Sequence, residues 1–291
     1  MVEMAQQVFP PGLVQVLGGD DTLGPALVDH PDIQKISFTG SIATGKKVMQ
    51  SAAKTLKRVT LEMDGNYPAI VLPDVKIEEV APKVAMGAFF NSGQVCVASK
   101  RIYVHESIYK PFVQALISVS KNLKVGDSNE EGVMLGPIQN AMQDEKVKTF
   151  FKDTKDKGYT FALGNGNVES SKGYFVQPTI IDNPPEDALI VTEEPFGPIV
   201  PVQSYKDISE VIARANNSKT GLAATVFGTD LAKCAEVADQ IESGTVWINS
   251  YPAPDPRGQF GGFKESGLGT EFGKLGILAY ANVKSTHTFK K

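Results

Sequence analysis

A cysteine and a glutamate are the residues of this chain best suited to chemistry at a carbonyl carbon. Cys96 closes the run Phe89-Phe90-Asn91-Ser92-Gly93-Gln94-Val95-Cys96, which sets one thiol in a turn of small residues after an apolar helix and before a strand. A thiolate attacks carbonyl carbon well when access is close and nearby donors favour the anion, and a glycine–serine turn offers bare backbone N–H groups for both needs. Glu62, in Val59-Thr60-Leu61-Glu62-Met63-Asp64-Gly65-Asn66, falls where a strand runs into a turn. From there a carboxylate serves as general base or caps the turn. The pair predicts covalent attack by Cys96 with proton transfer to Glu62.

A second group of small residues bears on ligand binding. Gly40, Ser41 and Gly45 follow a strand pattern and open a helix, where N-terminal N–H groups and the helix dipole hold a phosphate. Their spacing is not the common dinucleotide glycine pattern, so a plain turn is the other reading. The three histidines, His30, His105 and His287, are scattered without ligand spacing, and no metal site is expected. Cys234 sits in the helical pattern Leu231 to Ala238 and reads as a small buried apolar residue.

The elements that must position these groups alternate between extended and helical, which predicts βαβ units and an α/β fold with a largely parallel sheet. Residues 1–9 read as the end of a helix stopped by Pro10-Pro11, and Leu13 to Leu17 as a strand. Thr22 to His30 reads as a helix, Lys35 to Thr39 as a strand, Ser41 to Ala53 as a helix capped by Gly40 or Ser41, and Val59 to Glu62 as the strand presenting Glu62. A second unit starts near Gly65, with strands at Ala69 to Leu72 and Arg101 to His105 around a helix from Ile77 to Phe90. Beyond it, Glu106 to Leu123, Ile208 to Asn216 and Leu231 to Ile241 are helical. Phe175 to Ile181, Ile199 to Tyr205, Ala223 to Phe227 and Gly244 to Asn249 are extended. The proline-rich stretch from Tyr251 to Gly258 predicts a stiff loop.

Composition bounds the function. The 291 residues suffice for one large or two ordinary domains, and 42% hydrophobic and 21% charged residues with 27 glycines describe an ordinary α/β protein. A net charge of −4 and a pI near 5.5 give no electrostatic footprint for nucleic acid or an anionic membrane. No apolar run has the length of a bilayer span, and Met1 to Phe9 lacks the pattern of a secretory leader, so a cytoplasmic protein is expected. In such a compartment Cys96 and Cys234 stay reduced.

Five segments in order also resemble the aldehyde dehydrogenase superfamily. Leu61-Glu62-Met63-Asp64-Gly65-Asn66 and Asn91 to Cys96 are similar to its two signature motifs. Phe38 to Gly45 resembles its phosphate turn, Glu193-Glu194-Pro195-Phe196-Gly197-Pro198 its nicotinamide-ribose segment, and Phe260 to Gly267 its late substrate-side motif. The resemblance implies NAD or NADP as cofactor, with Glu194 and Phe196 fixing the nicotinamide ribose and ring beside Gly40, Ser41 and Gly45. Phe90, Asn91, Tyr251, Phe260 and Phe263 become candidate pocket residues for an aldehyde or acyl substrate, with core packing as the other reading of the aromatics. Glu271 matches a glutamate assigned to proton relay, or starts a helix as an ordinary carboxylate. The backbone N–H of Cys96 would form half of an oxyanion hole.

Two departures stand out. Asp64 takes the place of a glycine, a substitution that a left-handed turn tolerates, yet it brings a second carboxylate near Glu62 and crowds the nicotinamide. Met1 falls inside a helix that follows a long front segment in the family. That segment carries the first strands of the dinucleotide-binding sheet, the oxyanion asparagine, an adenosine-side lysine and part of an oligomerisation hairpin, so cofactor binding here is an open expectation. The implied architecture is an aldehyde dehydrogenase-like α/β fold. It comprises a truncated, Rossmann-like remnant over residues 1–64, a catalytic domain over 65–264, and a return helix with an oligomerisation strand over 265–291. A homo-oligomer is expected. The implied activity is oxidation of an aldehyde to a carboxylic acid through a thiohemiacetal on Cys96. A redox-free thiol hydrolase or isomerase and a non-catalytic binding protein are the alternatives.

Overall fold

The computed structural model describes residues 1–166 and 173–290. After a one-turn helix α1 (Val2–Ala5) and α2 (Leu23–Asp29), the chain forms β1 (Lys35–Thr39), α3 (Ile42–Ala52) and β2 (Arg58–Glu62). It continues through β3 (Pro68–Val71), α4 (Ile77–Phe89), β4 (Arg101–His105), α5 (Tyr109–Lys121), α6 (Ala141–Asp156), β5 (Thr160–Leu163) and β6 (Thr179–Asp182). The later elements are α7 (Leu189–Thr192), β7 (Ile199–Tyr205), α8 (Ile208–Asn216), β8 (Thr220–Gly221), β9 (Ala223–Phe227), α9 (Leu231–Asp239) and β10 (Thr245–Ile248). The chain then closes with β11 (Phe263–Lys264), β12 (Gly267–Leu268) and α10 (Gly273–Leu278).

Seven strands form the main sheet in the order β10-β9-β3-β4-β7-β6-β5. All neighbours run parallel except β5, which is antiparallel to β6. Every residue of β3 and β9 is buried, as expected of parallel strands covered on both faces. Side chains of β3, β4 and β9 alternate: Ala69, Val71, Ile102 and Val104 join one core with α4 and α5, whereas Ile70, Tyr103 and Val226 join the other with Val211, Cys234 and Val237. The α/β class and the parallel sheet are as the sequence predicts.

A smaller sheet in the order β1-β2-β12 carries Glu62. β1 and β2 pair in parallel, with Thr39 opposite Glu62, so both strands end together and release the chain toward α3 and toward Asp64. β12 returns antiparallel along β2 with Gly267 opposite Glu62, and Met63 N–H donates to Ser266 O at 2.8 Å. Glu62 is thereby held from both flanks.

Several expected elements differ. Leu13 to Leu17 forms no strand; Leu13, Val16 and Leu17 stay exposed with no sheet edge to receive them. The helix expected at Glu106 begins as a 3-10 turn, Glu106–Ile108, because the His105 imidazole accepts from Ser107 N–H and holds the entry before α5 starts. The segment from Phe175 is extended as a strand only at Thr179–Asp182. Helix α6 and strand β5 were not expected. At the C-terminal end the return helix is α10, while residues 282–290 have no regular structure.

Candidate active site

The turn before Cys96 is built from left-handed backbone. Asn91, Ser92 and Gly93 have φ of 51°, 56° and 69° in succession, a costly run for the first two that tertiary contacts must hold. Those contacts are present. Ser92 Oγ donates to Gly136 O at 2.7 Å, Gln94 Nε2 to Pro137 O at 3.2 Å, and Gln139 N–H to Gln94 Oε1 at 2.9 Å. Lys100, fully buried, sends its ammonium to Gly93 O and to Gly197 O. A side chain at Gly93 would strike the Gly197 carbonyl, so the turn before Cys96 lies directly on the chain just after Phe196.

Cys96 is half-buried and its thiol donates to Glu62 Oε1 at 3.4 Å. Burial pushes the thiol up to about 12, with the Glu62 carboxylate and then Glu194 adding to it against the Val97 N–H. The setting expected to favour a thiolate therefore favours the thiol, because the sulfur is largely withdrawn from water and two carboxylates flank it. Burial also raises Glu62, opposed by the hydrogen bond from Cys96 and assisted by Glu271. A base held above its ordinary range next to a protonated thiol is matched to take that proton. The Cys96 N–H has no hydrogen-bond partner among the described residues, which leaves it available to a developing oxyanion.

One cavity of about 460 Å³ gathers Gly40, Ser41, Glu62, Cys96, Glu194 and Phe196 along one wall system, with Gln143 and Lys146 of α6. Glu194 is 8% exposed and its Oε1 lacks a partner among the described residues. Burial drives its carboxyl up while the Lys100 ammonium pulls it back. Gln143 Nε2 donates to Pro195 O at 2.9 Å and Phe196 O at 3.0 Å and so fixes the segment on which Phe196, at φ 47°, adopts a left-handed backbone. A second, apolar cavity of about 620 Å³ is lined by Met86, Phe90, Val97, Met134, Tyr251 and Pro252, among others. Val95 lines both. The two cavities meet at the residue before Cys96.

Other expected site residues lie elsewhere. Gly45 lines neither cavity; it is buried in α3 where any side chain would collide with Met63, so it lets helix and strand approach. Asn91 is exposed and shapes the turn by donating to Gln94 O at 3.1 Å. Phe260 is buried in the core against Phe272, and Phe263 projects from β11 more than half exposed; neither is a wall of the apolar cavity. Glu271 accepts from Ser37 Oγ at 2.7 Å beside a separate cavity of about 530 Å³. Asp64 is not in the left-handed region and acts on Glu194 rather than Glu62; its Oδ2 accepts from Ile42 N–H at 3.0 Å. Gln143 and Lys146 escaped the sequence reading with the whole of α6. The signal was there: Asn140 caps the helix and Val147, Phe150, Phe151 and Thr154 recur at helical spacing. No group of three or more His, Cys, Asp or Glu side chains among the described residues is placed to hold a metal ion. No helix is long and apolar enough to cross a membrane.

This arrangement, a half-buried thiol beside a buried carboxylate between an apolar pocket and a cleft at the carboxyl ends of parallel strands, stands in a chain that matches the aldehyde dehydrogenase family. The chain belongs to that family, which it matches over residues 1–286. It is 43% identical to the aldehyde dehydrogenase LUC3 of a Fusarium species over 100% of this chain and 62% of the relative. The chloroplastic betaine aldehyde dehydrogenase of Beta vulgaris is 41% identical over 95% of this chain and 56% of the relative. A solved betaine aldehyde dehydrogenase of Staphylococcus aureus in complex with NAD+ superposes with a TM-score of 0.90 at 36% identity, covering 96% of this chain and 56% of that one. The chain thus spans somewhat more than half the length of the relatives it matches.

Proposed function

We propose that this chain performs aldehyde dehydrogenase chemistry, with Cys96 as nucleophile, Glu62 as general base and a nicotinamide dinucleotide as electron acceptor. The observation that carries the reading is the shared position of Cys96 and Glu62: both line the cleft that holds Glu194 and Phe196, and Val95 lines both this cleft and an apolar pocket. A redox-free thiol enzyme would have no use for the buried, unpartnered Glu194 oxygen in that cleft, and a binding protein none for the thiol–carboxylate contact.

The substrate enters between Phe90 and Tyr251, which suit an apolar chain on the carbonyl. Glu62 accepts the thiol proton as sulfur bonds to the carbonyl carbon, and the oxygen takes up negative charge beside the Cys96 N–H. With an activated ester, the tetrahedral adduct expels the alcohol, which leaves with the proton from Glu62, and a thioester remains on Cys96. Glu62 then takes a proton from water, which attacks the thioester carbon; the acid leaves and the sulfur regains its proton. With an aldehyde the adduct is a thiohemiacetal, and a bound dinucleotide supplies the acceptor that its oxidation requires. Glu194 Oε1, buried and unsatisfied, fits a ribose hydroxyl, and Phe196 and Gln143 frame the nicotinamide side. The division into residues 1–64, 65–264 and 265–291, assembly with further copies, and action in a reducing cytoplasm that keeps Cys96 and Cys234 free belong to the same proposal.

The test is aldehyde-dependent NADH formation by the purified chain, run beside ester hydrolysis and repeated with Cys96→Ser. NADH formation that Cys96→Ser abolishes supports the proposal. Ester hydrolysis without any NADH formation would move the reading to the redox-free enzyme, and neither activity would leave a binding protein.

A further inference from the structure

Helix α3 has eleven residues and begins at the ends of β1 and β2; Ser41 before it lines the cleft, while Ile42 and Ala43 of its first turn line the cavity beside it, which Asp64 and Glu194 share with the cleft. The first three N–H groups are those of Ile42, Ala43 and Thr44. Thr44 N–H goes to the Ser41 hydroxyl, the ordinary N-cap, at 3.3 Å. Ile42 N–H goes to the Asp64 carboxylate, brought from beyond β2. Only Ala43 N–H is left without a partner among the described residues. A negative charge at this helix end satisfies a donor and the dipole together, as an external anion would.

The same cleft has a demand for ligand that Asp64 leaves unmet. Glu194 Oε1 is buried there without a partner, and Lys146 lines the cleft as well. Asp64, Lys146 and Glu194 also line a neighbouring cavity of about 400 Å³ that holds Lys46 and Lys219. Asp64 is tethered but not trapped: its backbone carbonyl accepts from Ser266 Oγ at 2.7 Å, while its side chain is partly exposed.

We propose that Asp64 is a specificity-determining residue, a built-in anion on the phosphate seat of α3 that a dinucleotide's pyrophosphate must displace before it can bind. The proposal rests on the cofactor reading above and deepens it. Two like charges at one helix end cannot share its few donors, so phosphate-bearing ligands are disfavoured while the ribose and nicotinamide contacts stay intact. Within the cavity that Ile42, Ala43 and Asp64 share with Lys46 and Lys219, a displaced carboxylate turns from the helix end toward Lys219, which already feels its charge.

The test is calorimetric titration of NAD+ and of nicotinamide riboside, which has no phosphate, into the full chain and its Asp64→Gly and Asp64→Asn variants. Circular dichroism establishes that each variant is folded. Both substitutions remove the charge, and asparagine keeps the acceptor for Ile42 N–H. NAD+ should bind at least about tenfold tighter to both variants, while the riboside changes by less than about threefold. An NAD+ affinity unchanged in both, undetectable binding in all three proteins, or an equal gain for the riboside would overturn the proposal. Ester hydrolysis that depends on Cys96 is measured in parallel: its absence defeats the carbonyl-chemistry reading without touching the competition at α3.

Discussion

The Cys96 thiol and the Glu62 carboxylate meet at 3.4 Å although they lie 34 positions apart in the chain, and their hydrogen bond keeps the proton on sulfur and the charge on the carboxylate. Glu62 raises the thiol, the thiol's hydrogen bond lowers Glu62, and the proton sits on sulfur. In the proposed chemistry attack begins with a transfer between these two groups, and the pair can be tested through either partner.

Iodoacetamide should modify Cys96 at least about tenfold faster than Cys234, because Cys96 opens on a cavity while Cys234 is fully buried in α9. Mass spectrometry after a brief exposure measures the ratio. With Glu62→Gln the labelling profile of Cys96 should move to lower pH, since two of the causes that raise the thiol disappear.

On an activated ester, Cys96→Ser should remove turnover. Glu62→Gln should slow deacylation by about 10²-fold or more, the usual range for a lost general base, and yield a burst of alcohol followed by a slow steady state. A steady state matching the unsubstituted chain would deprive Glu62 of the role of base.

Glu62 also links stability to pH. Its carboxyl is raised in the folded chain, so the folded state holds the proton more tightly than the unfolded one. Both states are protonated below the ordinary carboxylate range, and the penalty for ionising the buried group grows as pH rises through that range to the raised value. Glu62→Gln should accordingly raise the thermal midpoint at neutral pH and leave it unchanged in acid. Thermal unfolding at the two pH values reads the difference.

Gly45→Ala should destabilise the chain by about 1–3 kcal/mol, because the new methyl meets Met63 in a closed interface. Chemical denaturation checks the loss. Cys96 labelling in the folded variant should keep its rate.

Self-association is expected at micromolar concentration. Met4, Val8, Leu13, Val16 and Leu17 at one end of the chain and Ile277, Tyr280, Val283 and Phe289 at the other are all at least half exposed. Covering such surface is worth about 25 cal/mol per Å². Light scattering that finds only monomer would contradict this.

Much of the site was legible because its residues sit where strands end and helices begin. Lys35–Thr39, Arg101–His105 and Ile199–Tyr205 coincide with the expected strands, and Ser41 caps α3 as one of the two residues expected there. The residues misplaced were those whose type suits two environments. An aromatic such as Phe260 fills a core as well as it lines a pocket, and a helical glycine such as Gly45 serves close packing as well as phosphate contact. Helix α6 escaped because its polar residues outnumber its apolar stripe, and with it went Gln143 and Lys146. The Asp64 contact reaches from the end of β2 back to the start of α3, and no local pattern reports on it.

Lys100 sets how the cleft moves. Its buried ammonium is bonded to both Gly93 and Gly197, and Gln143 clasps Pro195 and Phe196 from the other side. The loop that bears Cys96 and the loop that bears Glu194 and Phe196 are therefore riveted into one mechanical body. Their backbone amides should exchange with solvent in a single cooperative opening rather than separately. The spacing across the cleft is consequently set when the chain folds, and a ligand arrives at a gap already gauged.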